Sequence, residues 1–171
     1  MNYLLKILVV MLLFTNGIIA QEVTTTQNQT STLQLEKPLL NTSKKLALLL
    51  PFNLAKVQND TVNTIADRLK KDKFLNMTLD FYSGAVMAID SAKQLGISVD
   101  VSVFDSEETK NNSNVTKLIA DNQLATFGAV IGPFYQTNVE KTAELLSANQ
   151  VAVISPLSKE VGQFYPNLVQ T

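Results

Sequence analysis

Apolar and polar positions repeat along the chain in two periods, and the switches between them mark out its elements. Leu46-Ala47-Leu48-Leu49-Leu50 is a continuous apolar run closed by Pro51. A run of that length bounded by a breaker predicts a strand buried on both faces. Residues 77–95 carry Phe81, Ala85, Ala88, Ile89, Ala92 and Leu95 at helical spacing, with a stripe of small residues suited to close packing on a sheet. Asn76 or Thr78 is the expected cap of this helix and Gly96 its expected stop. Over 97–104, Ile97, Val99, Val101 and Val103 alternate with Ser98, Asp100 and Ser102, which predicts a half-buried strand nearer a sheet edge. Ser113–Leu124 reads as a helix with Val115, Leu118 and Ile119 on one face, and Ala129–Ile131 as a short buried strand. Thr137 followed by Glu140 matches a capping box, which predicts a helix from Thr137 to about Ala148. Val151–Ile154 is a fourth strand, closed by Ser155-Pro156.

The predicted order is β-α-β-α-β-α-β. Strands joined by crossover helices make a parallel sheet with right-handed connections. The expected fold class is α/β, a doubly wound parallel sheet. Ligands of such sheets bind beyond the carboxyl ends of the strands, where strand order reverses. The stretch from Phe52 to Asn76 departs from this pattern, because compact connections run to about 2–6 residues. Within it, Val62, Ile65, Ala66 and Leu69 share one face, which predicts a small helix over Asp60–Leu69. Arg68-Leu69-Lys70-Lys71-Asp72-Lys73 forms a basic knot on its other side, either a solvated turn or a partner-docking insert.

The N-terminal region follows another pattern. Lys6 precedes an unbroken apolar run from Ile7 to Phe14, and Ala20 ends a stretch of small residues. Residues 1–20 have the layout of a secretory signal peptide, with an apolar core too short to span a bilayer. The expected location is secreted or periplasmic, with no transmembrane span after cleavage. Of the 24 residues from Gln21 to Lys44, 14 are Thr, Ser, Gln or Asn, so 21–44 reads as a flexible linker. The folded part is then 45–171.

Composition narrows the chemistry. The 171 residues include no Cys and no His. That excludes disulfides, thiolate nucleophiles, His-based triads and the common zinc sites. Lys plus Arg is 14 and Asp plus Glu 15, a net charge of −1, which offers no footprint for nucleic acid. Glycine-rich phosphate loops are absent, and Tyr82-Ser83-Gly84 falls inside a helical pattern rather than a nucleophile elbow. Six Asn-x-Ser/Thr triplets occur, at Asn28, Asn41, Asn59, Asn76, Asn111 and Asn114. A bacterial-type signal in a chain rich in Asn and Thr makes these chance matches. Asp105-Ser106-Glu107-Glu108 groups three acids, as a Ca²⁺ site or an acid/base pair would. The spacing fits no EF-hand, and a solvated loop is the plainer expectation.

Three loops are expected at one edge of the sheet: Pro51–Asn53, Gly132–Thr137 and Ser155–Ser158. A helix that starts after Gly132-Pro133-Phe134-Tyr135-Gln136 has unpartnered first amides and a dipole that favours an anion. A ligand carboxylate held there by Thr137, covered by Phe134 and Tyr135 and joined by Ser155, is one reading. A capped helix with Phe134 in the core and no ligand is the other, and the residues alone favour neither.

At these loops the chain resembles a known family. Ala129-Val130-Ile131-Gly132-Pro133, a helix, and then Val151-Ala152-Val153-Ile154-Ser155-Pro156-Leu157-Ser158 resemble type I periplasmic binding proteins, the receptors typified by branched-chain amino-acid-binding proteins. Leu46–Phe52 resembles their first strand, and residues 164–171 the approach to their fifth. The stretch RLKKDKFLNMTLDFYSGAVMAIDSAK, residues 68–93, is more similar still to a flavobacterial subgroup whose receptor-like domain follows LysM repeats. The resemblance implies a non-enzymatic receptor for a small ligand such as an amino acid, with no cofactor. It places ligand contacts at Phe134, Tyr135, Gln136, Thr137, Ser155 and Leu157. It also implies that 45–171 is part of the first of two lobes, so the chain is expected to be an N-terminal fragment. Its sheet would then keep an open edge and an uncovered face, with low solubility or dimerisation as the result. No LysM repeat lies between signal and domain, and the 52–76 insert is longer than an amino-acid binder needs. Some relatives serve the envelope as regulators. A peptidoglycan-associated scaffold with the same fold, a cell-envelope partner and no small ligand is therefore the alternative.

Overall fold

The structure, a computed structural model, describes residues 43–157 and 162–170. The signal peptide read over 1–20, the linker except Ser43 and Lys44, and Ser158 lie outside the described residues. Five strands form one sheet: β1 (Lys45–Leu50), β2 (Asp100–Asp105), β3 (Ala129–Ile131), β4 (Ala152–Ser155) and β5 (Leu168–Gln170). All pairings are parallel and the order is β2-β1-β3-β4-β5. Between β1 and β2 come α1 (Leu54–Gln58), α2 (Ile65–Lys71) and α3 (Lys73–Gln94). Helix α4 (Val115–Asp121) joins β2 to β3, and α5 (Gln136–Leu146) joins β3 to β4.

The chain leaves β1 in one direction along the sheet to form β2, then crosses back over β1 to form β3. Right-handed crossovers therefore place α3 on one face and α4 and α5 on the other. The packing agrees. Ala47, Leu49, Val130 and Val153 share a core with Val115 of α4 and Val139, Ala143 and Leu146 of α5. Leu48 and Leu50 turn to the opposite face, where Phe134 and the α3 residues Met77, Phe81 and Ile89 pack. This is the doubly wound α/β sheet expected from the sequence. The run Leu46–Leu50 is apolar throughout because β1 has a strand on each side and a helix layer on each face; residues 47–50 are all buried.

Several boundaries differ from the periodic reading. Helix α3 begins at Lys73, four residues early, and Asp72 caps it by accepting from the Leu75 N–H at 3.0 Å. Phe74 draws the helix inward by packing on Phe134 and stacking on Tyr135. Strand β2 begins at Asp100, not Ile97, because pairing starts where β1 starts: Lys45 lies opposite Asp100. Ile97 and Val99 are left exposed. As the alternation implied, β2 is an edge strand. The insert holds two helices rather than one. Asp60 turns the chain by accepting from the Val62 and Asn63 N–H groups, and a capping box of Thr64 and Asp67 opens α2. Part of the basic knot is not solvated: the Arg68 Nε donates to Asp60 at 2.7 Å, and its Nη1 lies 3.6 Å from Asp72. Among the described residues, no helix is long and apolar enough to cross a membrane.

Candidate functional site at the carboxyl edge of the sheet

Strand order reverses between β1 and β3, and a crevice of about 400 Å³ opens beyond their carboxyl ends. The loop after β1 supplies Asn53, and α1 supplies Lys56. The loop after β2 supplies Glu107, Glu108 and Thr109, and the loop after β3 supplies Tyr135. Phe74 and Asp72 come from the start of α3. The Tyr135 ring stacks on Phe74, with centroids 5.2 Å apart and planes 23° apart, which gives the crevice one flat aromatic wall.

Asp105, at the end of β2, fixes two of these loops. Its carboxylate accepts from the Asn53 N–H at 3.0 Å, the Leu54 N–H at 2.7 Å and the Glu107 N–H at 3.1 Å. Asn53 and Glu107 are both held in the left-handed region, at φ 53° and 41°. Asn tolerates that conformation, whereas a glutamate there costs about 1 kcal/mol. Gly132, at φ 95°, is also required, because a Cβ at this position would run into the Leu49 carbonyl oxygen.

Glu108 fills the approach to α5 from within. Its side chain is fully buried. Oε1 accepts from the Phe134 N–H at 2.7 Å and the Ser106 hydroxyl at 3.4 Å. Oε2 accepts from the Tyr135 N–H at 3.3 Å and the Asn138 Nδ2 at 2.8 Å. Burial pushes this carboxyl above its usual range, while the Asn138 amide and the Phe134 and Tyr135 amides pull it part of the way back. The acidic loop is therefore not the solvated loop expected: Ser106 and Glu108 are buried. Among the described residues no group of three or more Asp or Glu converges to hold a metal ion.

This arrangement decides the fate of each anticipated ligand contact. Glu108 takes the Phe134 and Tyr135 amides just ahead of α5, and the Asn138 and Val139 amides bond the Tyr135 carbonyl. Tyr135 lines the crevice. Phe134 lies in the core against Phe74 and Phe81. Thr137 does not cap α5. Tyr135 holds the cap position with no side-chain bond, and the Thr137 hydroxyl donates to the Lys110 carbonyl at 2.8 Å. Gln136 points toward the far strands, donating to Glu140 at 2.6 Å and accepting from Gln170 of β5 at 3.3 Å. Ser155 is buried at the end of β4 in register with Gln170, and Leu157 is exposed beyond it. The structure thus brings Gln136 and Ser155 together at the β4–β5 end and sets Tyr135 apart at the switch point. Asn53 and Glu107 fell within loops legible in the sequence. Lys56 and Asp72 carried no signal of their own, since only the path of the insert brings them to the crevice. No family model, no curated protein and no solved structure matches this chain.

Proposed function

We propose that this chain is an exported, non-enzymatic binding domain that takes a small polar ligand, such as an amino acid, in the crevice above β1 and β3. The observation that carries the reading is the crevice itself, a polar hollow at the switch point of a doubly wound sheet. Its lining includes both signs of charge, Lys56 beside Glu107 and Asp72. A zwitterion has a partner there for each end, and the Tyr135–Phe74 wall suits its apolar part. Export rests on the pattern of residues 1–20. A doubly wound sheet is in keeping with the resemblance to the first lobe of type I periplasmic binding proteins.

Isothermal titration of the full chain with the twenty amino acids tests the reading. At least one should bind saturably, with Kd at least tenfold weaker in Tyr135→Ala. No saturable heat from any of them would overturn the amino acid as the ligand. The insert favours a second reading, an envelope scaffold, because Val62 and Ile65 stand 87% and 68% exposed there. Co-sedimentation with peptidoglycan that is lost in Val62→Ser/Ile65→Ser, together with a silent titration, would select the scaffold.

A further inference from the structure

Next to the crevice lies a second, shallower hollow of about 370 Å³. Lys56 and Asp72 line both, so the two share a wall. The second hollow also takes in Asp60, Arg68, Lys71 and Lys73. Its two acids are already engaged. Asp60 accepts from the N–H groups of Val62 and Asn63, from the Asn63 Nδ2 at 3.2 Å and from the Arg68 Nε at 2.7 Å. Asp72 accepts from the Leu75 N–H and pairs with the Arg68 Nη1. One guanidinium bridges both carboxylates but balances the charge of one, so with three ammonium groups the lining keeps a net charge of +2. The Lys71 Nζ reaches only the neutral Asn63 Oδ1, at 3.5 Å. Lys56 and Lys73 have no partner among the described residues.

A net charge of +2 around one concavity, in a chain whose net charge is −1, is a local excess that a bound anion would neutralise. Just ahead of α5 the Phe134 and Tyr135 amides are already taken by Glu108. We propose that the ligand of the crevice carries an anionic group, carboxylate or phosphate, and that Lys56, Lys71 and Lys73 hold this group in the adjoining hollow. The inference rests on the reading of the crevice as a ligand site. It narrows the ligand class to acidic small molecules.

Titration calorimetry of the full chain with inorganic phosphate and with succinate, at constant ionic strength set by sodium chloride, tests it. At least one probe should bind at a single saturable site, with Kd at least tenfold weaker in Lys71→Gln/Lys73→Gln. Affinity should fall as salt rises. The stronger probe tells a phosphorylated ligand from a carboxylic one. The substituted side chains are exposed, so the variant should keep the wild-type Tm, which a melt checks. No saturable binding of either probe, or binding equal in the variant, overturns the proposal. An amino acid that binds the variant as it binds the wild type leaves the crevice reading standing and sinks this one. Phosphate held by the lysines while every amino acid stays silent keeps the crevice as a ligand site and removes the amino acid as its occupant.

Discussion

Removing the Glu108 carboxylate would leave the Phe134 and Tyr135 N–H groups and the Asn138 amide without their acceptor in a buried place. Glu108→Ala should therefore lose roughly 3 kcal/mol in urea unfolding, the cost of orphaned buried donors. The titration of this group has a definite sign. Its carboxyl is raised in the folded protein, so the folded state favours the neutral form more than the unfolded state does. The stability it contributes is complete below the unfolded value and is lost as pH rises through the folded one. The stability of the wild type minus that of Glu108→Gln should fall as pH rises from 4 through the ionisation of Glu108. A difference that stays flat or rises would show that burial does not dominate. At this scale the sequence was least informative. Glu108 and Phe134 are 26 positions apart, and an acid among acids reads as solvated until its neighbours are known.

Helix starts show how far local pattern reaches. Thr137 with Glu140 has the spacing of a capping box, yet the turn through Gly132–Tyr135 sets the cap of α5 two residues early, at Tyr135. The Glu140 carboxylate, which the box needs, instead accepts from the Gln136 Nε2 and the Gln163 N–H. The working caps are Asp72 on α3 and Thr64 on α2. Asp72→Ala should cost about 1 kcal/mol in thermal or urea unfolding. Thr137→Ala, which removes one exposed bond to a carbonyl, should cost about 0.5 kcal/mol or less. The reverse ranking would mean that Thr137 caps after all. The elements themselves were legible: β1, β3, β4 and the helices between them lie within a few residues of the periodic reading. Strand β5 is 3 residues long and carried no period of its own; only likeness to a family suggested it. Helix α1 was missed because its 5 residues, Leu54-Ala55-Lys56-Val57-Gln58, are too few to show a period.

Across the whole sheet the two faces are unequally covered. Helices α4 and α5 close one, while α3 is the only described helix on the other, and just Leu75 and Thr78 of its 22 residues are fully buried. A largely apolar cleft of about 610 Å³ runs between α3 and the amino-terminal halves of β1 and β2, lined by Leu46, Leu48, Ala85, Ala88, Ile89 and Val101. Met87 of the same helix and Leu95 just past its end stand 71% and 79% exposed. Such a cleft should bind an apolar dye such as anilinonaphthalene sulfonate in the folded protein. Ala88→Glu should cut that fluorescence at least twofold without lowering Tm by more than a few degrees. Equal fluorescence in the two proteins would place the dye elsewhere.

The sequence by itself determined what depends on near neighbours and on composition: which segments are strands and helices, that the strands run parallel, and that cysteine and histidine chemistry is absent. The parallel arrangement follows because each strand is separated from the next by enough chain to cross a sheet face. Only the tertiary structure decided what depends on distant neighbours. Strand order fixed the reversal between β1 and β3 and so the place of the crevice. The path of the insert brought Lys56 and Asp72 beside Tyr135. The fold carried Glu108 to the Phe134 and Tyr135 amides, next to the helix start where a ligand had been expected. Spacing along the chain encodes a period, but a buried carboxylate and its donors are chosen by packing, which no local pattern records.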